Sequence, residues 1–139
     1  MASTKVTARA FGDLARHAEK IKNDQHQSVG VMSAGDAWAQ GDLLLVMIPG
    51  VPAGCEKIAH PSAQLAPGST QGSRHRLASL TGLTLYRRTN GTVLDGPVVE
   101  APAGCRVNHP EHGDVTLPPG VYAVVYQRAY AAELRRVQD

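Results

Sequence analysis

All nine prolines of this 139-residue chain fall between Pro49 and Pro119, and the glycines among them cut that region into short apolar runs. Proline lacks a backbone N–H and collides with the preceding helical turn, so a region punctuated in this way disfavours helices. Short strands do. The runs at 42–48, 56–58, 74–79, 83–87, 92–94, 97–100, 115–117 and 121–128 are the expected strands, separated by turns at Pro49-Gly50, Pro67-Gly68, Asn90-Gly91 and Pro119-Gly120. No helical crossover pattern lies between them, which predicts a mainly β fold, an antiparallel barrel or sandwich.

Within this region one unit is written twice, fifty positions apart. Pro52-Ala53-Gly54-Cys55 leads to His60-Pro61 and Leu65-Ala66-Pro67-Gly68, and Pro102-Ala103-Gly104-Cys105 leads to His109-Pro110 and Leu117-Pro118-Pro119-Gly120. Each copy follows an apolar run and reads as strand, tight turn, His-Pro corner and Pro-Gly turn. Two related β units about an approximate two-fold axis are therefore expected.

The flanks have a different texture. Phe11, Leu14, Ala15, Ala18 and Ile21 recur at three- and four-residue steps, which predicts an amphipathic helix over 4–23. The polar stretch 23–40 reads as an extended arm, and 129–139 as a short helix docked on the body. The domain division is then 1–39 for helix and arm and 40–139 for a single β-rich domain. A helix on a long arm suits contact with a neighbouring subunit, so a homo-oligomer is expected. Aromatic residues are only 4% of the chain, so Leu, Val, Ile and Ala must fill the core around Trp38 and four tyrosines.

Net charge is +2, too mild to favour nucleic acid or an anionic membrane by itself. No window approaches the roughly 18 apolar residues of a membrane span, and the first ten residues lack the apolar centre of a secretory signal, which predicts a cytoplasmic protein away from the membrane. In that compartment Cys55 and Cys105 are expected as thiols, although their matched places in the repeat leave a disulfide open.

The densest chemical motif is Asn108-His109-Pro110-Glu111-His112-Gly113-Asp114. Imidazoles and carboxylates in one corner can converge on a divalent ion such as zinc, iron or manganese, with His75 as a third histidine from across the sheet. The expected metal ligands are His75, His109 and His112, with Glu111 or Asp114 orienting a ligand or acting as a base. A rival set, Cys55, His60, Cys105 and His109, would make a structural zinc site if the two repeats met. The plain alternative for these histidines is a loop that bonds to itself. Arg74 and Arg76 should share one face of their strand with His75 on the other, and with Arg87 or Arg88 alongside they would form a cationic patch for an anionic ligand or RNA. No nucleophile elbow, phosphate loop or dinucleotide fingerprint is present.

The series Gln40-Gly41-Asp42, Gly72-Ser73-Arg74-His75-Arg76, His109-Pro110-Glu111-His112, Leu117-Pro118-Pro119-Gly120-Val121-Tyr122 and Tyr126-Gln127-Arg128-Ala129-Tyr130 resembles a group of small bacterial β-rich proteins without an established activity. Members often carry Gly-His-x-His-Arg at the second motif, where this chain has Ser73 in place of the first histidine. The resemblance implies a histidine grouping and a domain from about residue 40 onward, and it names no reaction. Three readings stay open: a metal-binding β protein, a non-catalytic assembly module, and a binder of RNA or a small anion.

Overall fold

The computed structural model describes residues 6–7, 26–67 and 74–127. The expected helices over 4–23 and 129–139 lie outside these residues, except that Val6–Thr7 forms a short strand, β1. The other strands are β2 (His26–Ser28), β3 (Asp36–Gln40), β4 (Leu43–Ile48), β5 (Cys55–Lys57), β6 (Arg76–Leu77), β7 (Thr84–Arg88), β8 (Asp95–Ala101), β9 (Cys105–Asn108), β10 (Asp114–Leu117) and β11 (Gly120–Tyr126).

They form two sheets. One has seven strands in the order β1-β3-β4-β11-β8-β7-β5, and the other has four in the order β2-β10-β9-β6. Neither sheet closes on itself among the described residues, so the barrel alternative gives way to two open sheets. Among the described residues every pairing is antiparallel except β2 with β10, which is parallel and departs from the all-antiparallel expectation. The stretch expected to be a simple arm thus supplies β2 to the small sheet and β3 to the large one.

Alternation explains the centre of the large sheet. Leu43, Leu45 and Met47 of β4 turn inward while Leu44, Val46 and Ile48 stay half-buried. They meet Leu85, Val99, Tyr122, Val124 and Tyr126 of the same sheet and Leu77, Val107, Val115 and Leu117 of the other, so both sheets enclose one core. Strand β11 lies between β4 and β8. Its register with β8 shifts between Ala123 and Val125, where Gly96 and Pro97 face Val124. Pro97 has no N–H to give, and a side chain at Gly96 would collide with Tyr126, so an irregularity belongs there. Tyr126 crosses the glycine and donates its hydroxyl to Leu65 O at 2.7 Å.

The repeated turn is the same in both copies. Gly54 and Gly104 adopt left-handed backbones, φ +84° and +85°, and each hands over to a strand that begins at the cysteine. The strands then diverge: β5 is an edge of the large sheet and β9 an interior strand of the small one. Both cysteines are free thiols. Burial pushes the Cys105 thiol up to about 11.

One expected strand is a turn instead. Asp95 Oδ2 accepts the Thr92 N–H at 2.8 Å and Thr92 Oγ1 accepts the Leu94 N–H, so side chains capture the backbone that would have paired.

Candidate functional site

Gln40 ends β3 with only 2% of its surface exposed, and an amide so deep must be bonded. Its Nε2 donates to Val107 O at 3.1 Å and to Gly113 O at 2.8 Å. Its Oε1 therefore faces His75 Nδ1, 2.8 Å away, as an acceptor. That arrangement decides the tautomer: His75 carries its proton on Nδ1, which in the neutral ring leaves the lone pair on Nε2.

His75 immediately precedes β6, and the alternation there is as the sequence predicts. Arg74 and Arg76 are exposed while His75 and Leu77 are buried. His75 is 1% exposed and His109, at the end of β9, is 3%. The turn from β9 to β10 folds around the His109 ring, whose Nδ1 accepts the backbone N–H of both Glu111 and His112 at 3.1 Å. In the neutral ring the proton then sits on Nε2. His112 comes round the same turn and lies against Gly41, where a Cβ would stand 2.5 Å from its Cδ2 and Nε2. The φ of +60° at Gly41 and this close approach both call for glycine.

The three rings form one cluster. Centroid separations are 4.3 Å for His75–His109, 4.5 Å for His109–His112 and 6.4 Å for His75–His112. As they stand, no three His, Cys, Asp or Glu side chains among the described residues are arranged to ligate one ion. The bonds to His109 Nδ1 give a physical reason: that nitrogen already accepts two donors, and its ring presents N–H, not a lone pair, on the other side.

The expected carboxylates have different fates. Asp114 accepts the His109 N–H through Oδ1 at 3.3 Å and an Arg106 Nη2 donor through Oδ2 at 2.9 Å, so it braces the turn. Glu111 is exposed, and its bond to the cluster is through its backbone N–H. The rival zinc set is not assembled either: Cys55 and Cys105 belong to different sheets, and no group of three His, Cys, Asp or Glu among the described residues draws on them. The anticipated joining of Arg87 or Arg88 to Arg74 and Arg76 does not occur. Both lie on β7 of the large sheet, with Arg87 Nη2 3.2 Å from Glu56 and Arg88 Nη1 3.1 Å from Asp95.

Above the cluster opens a cleft of about 1010 Å³, lined among others by Arg74, Arg76, Asn108, His109, Glu111 and His112. A smaller one of about 530 Å³ lies near Arg88 and Tyr126, and none of the histidines among the described residues lines it. The histidine triplet was legible in sequence; the parts played by Gln40, Gly41 and Asn108 were not. Gln40-Gly41 stood out only as part of a motif, and its use becomes visible when β3 is placed beside the β9–β10 turn.

The family model for the Domain of unknown function (DUF8820) matches residues 39–127. The chain belongs to this family. No curated protein and no solved structure matches it. The DUF8820 match begins one residue before Gln40 and takes in Gly41, His75, His109 and His112, so the whole cluster lies inside the family domain. No helix of the described residues is long and apolar enough to cross a membrane.

Proposed function

We propose that this domain binds a divalent transition-metal ion at the imidazole cluster, with His75 and His112 as the first ligands. The observation that supports it is the gathering of three rings beside one cleft, which His109 and His112 line, with His75 fixed by Gln40 in the tautomer that, for the neutral ring, places the lone pair on Nε2. A ligating histidine ordinarily gives its other ring N–H to a fixed acceptor, which is the role Gln40 Oε1 fills. Nitrogen ligands of this type suit zinc, nickel, cobalt or iron(II).

His109 becomes a third ligand only by changing tautomer, since Nε2 can bind an ion only when the proton moves to Nδ1. That move costs the two bonds from Glu111 N and His112 N. The proposal therefore carries its own signature: ligation by His109 releases those two amides. Glu111, exposed beside the cleft, is the nearest candidate to orient a ligand on the ion, while Asp114 stays with Arg106.

Elemental analysis of the full chain, with cobalt(II) titration followed by visible absorption, tests the reading. About one ion per chain is expected, with binding lost in His112→Asn, a half-buried position where the variant should still fold. A content below about one tenth of an ion per chain, with no cobalt spectrum, would end it. Amide exchange at Glu111 and His112 should quicken on metal addition if His109 joins the ion.

A further inference from the structure

We infer a second binding function in the same cleft: Arg74 and Arg76 form a site for a small oxyanion of the phosphate-ester class. The inference uses none of the metal ligands and does not depend on them. Both arginines are exposed, lie two positions apart on one face, and line the cleft. Among the described residues neither forms an ion pair, in contrast to Arg87, Arg88 and Arg106, each of which has a carboxylate partner. Unpaired guanidinium forks on a concave surface match the flat, two-oxygen edge of phosphate or carboxylate.

The cleft also favours anions in total charge. Of its two acidic lining residues, Asp114 is paired with Arg106, so Arg74 and Arg76 stand against one exposed carboxylate, that of Glu111.

A further group argues for an ester bearing hydroxyls over a bare anion. Asn108 lies opposite Arg76 across the β6–β9 ladder, and its Oδ1 is buried with no hydrogen-bond partner. An acceptor short of a donor at the cleft wall is costly by itself, and a ligand O–H is the kind of group that would relieve it. RNA is the less suitable occupant. Two charges in one concavity give a local anchor, while a strand needs a charged track with aromatic rings for stacking, and among the described residues no aromatic side chain lines the cleft apart from the histidines.

The test is a titration of the full-length protein with inorganic phosphate and with glycerol phosphate, read by NMR shifts of the arginine Nε–H groups and by calorimetry. Saturable binding in the millimolar range or tighter is expected, about ten-fold weaker in Arg74→Gln/Arg76→Gln, with glycerol phosphate favoured over phosphate in the wild type and not in Asn108→Leu. The arginines are exposed, so the double variant should keep the wild-type unfolding midpoint and cobalt titration, which separates this outcome from failure of the metal site. No binding at about 10 mM phosphate, or equal binding by the double variant, overturns the inference. So does a single-stranded RNA that binds more than about a hundred-fold tighter than phosphate with steep salt dependence.

Discussion

Gln40→Leu is the substitution that most directly tests how the site is held. Leucine fills nearly the same space but supplies neither donor nor acceptor, so three bonds disappear at once: those to Val107 O, Gly113 O and His75 Nδ1. A net hydrogen bond is worth about 1 kcal/mol, and a buried group left without its partner costs about 1–3 kcal/mol. The apolar leucine side chain returns roughly 1–2 kcal/mol. The balance is a loss of roughly 3 kcal/mol. For a domain of this size that lowers Tm by roughly 10 °C. Urea unfolding can be followed through Trp38, the single tryptophan, which is buried two residues away on the same strand. The midpoint should fall while the slope is unchanged. A loss under about 1 kcal/mol would refute the reasoning, because it would mean that solvent or another side chain readily replaces the amide.

Two further predictions concern the repeated turn and the buried thiol. Gly54→Ala meets nothing closer than 3.6 Å and should lose only the left-handed backbone preference, about 1–2 kcal/mol, whereas at Gly104 the new Cβ would lie 2.5 Å from Leu117 O and the cost should be at least twice as large. Equal urea midpoints for the two variants would show that the second turn yields freely. Because burial raises the Cys105 thiol from 9.0 to about 11, the folded state holds its proton longer than the unfolded one. Stability is then complete below about pH 9 and falls as pH rises through about 11, by at most roughly 3 kcal/mol, and Cys105→Ala should flatten that decline in pH-dependent unfolding. Some alkaline loss should remain from Tyr122, whose hydroxyl is pushed up by burial and by Cys105 beside it.

Legibility in the sequence followed the kind of force at work. Leu43–Ile48 and Gly120–Tyr126 could be read because their apolar patterns match the strand period and hydrophobic burial decides their place. Asp36–Gln40 could not, since all five residues are buried although the run begins and ends with polar side chains. Asp36 is accommodated by accepting the Ser33 N–H, and Gln40 by its bonds across the sheets, partners that no local pattern reveals. Cys105–Asn108 was hidden in the same way, having one fully buried apolar residue, Val107. The meeting of His75, His109 and His112 was readable from residue type, because imidazoles near a Pro/Gly corner and on a neighbouring strand have few places to go. The turn's claim on His109 Nδ1 was not, as it depends on backbone N–H directions at Glu111 and His112.

Gln40 belongs to the seven-stranded sheet, and the groups it holds, Val107, Gly113 and His75, belong to the four-stranded side. The three rings thus come from the four-stranded side, while the large sheet supplies Gln40, which fixes His75, and Gly41, against which His112 lies, so the cluster takes its final form only where the two layers meet. During folding such a centre can mature only in the closing step, which would make any ligand gripped there a latch on the finished molecule and would leave half-assembled chains inert.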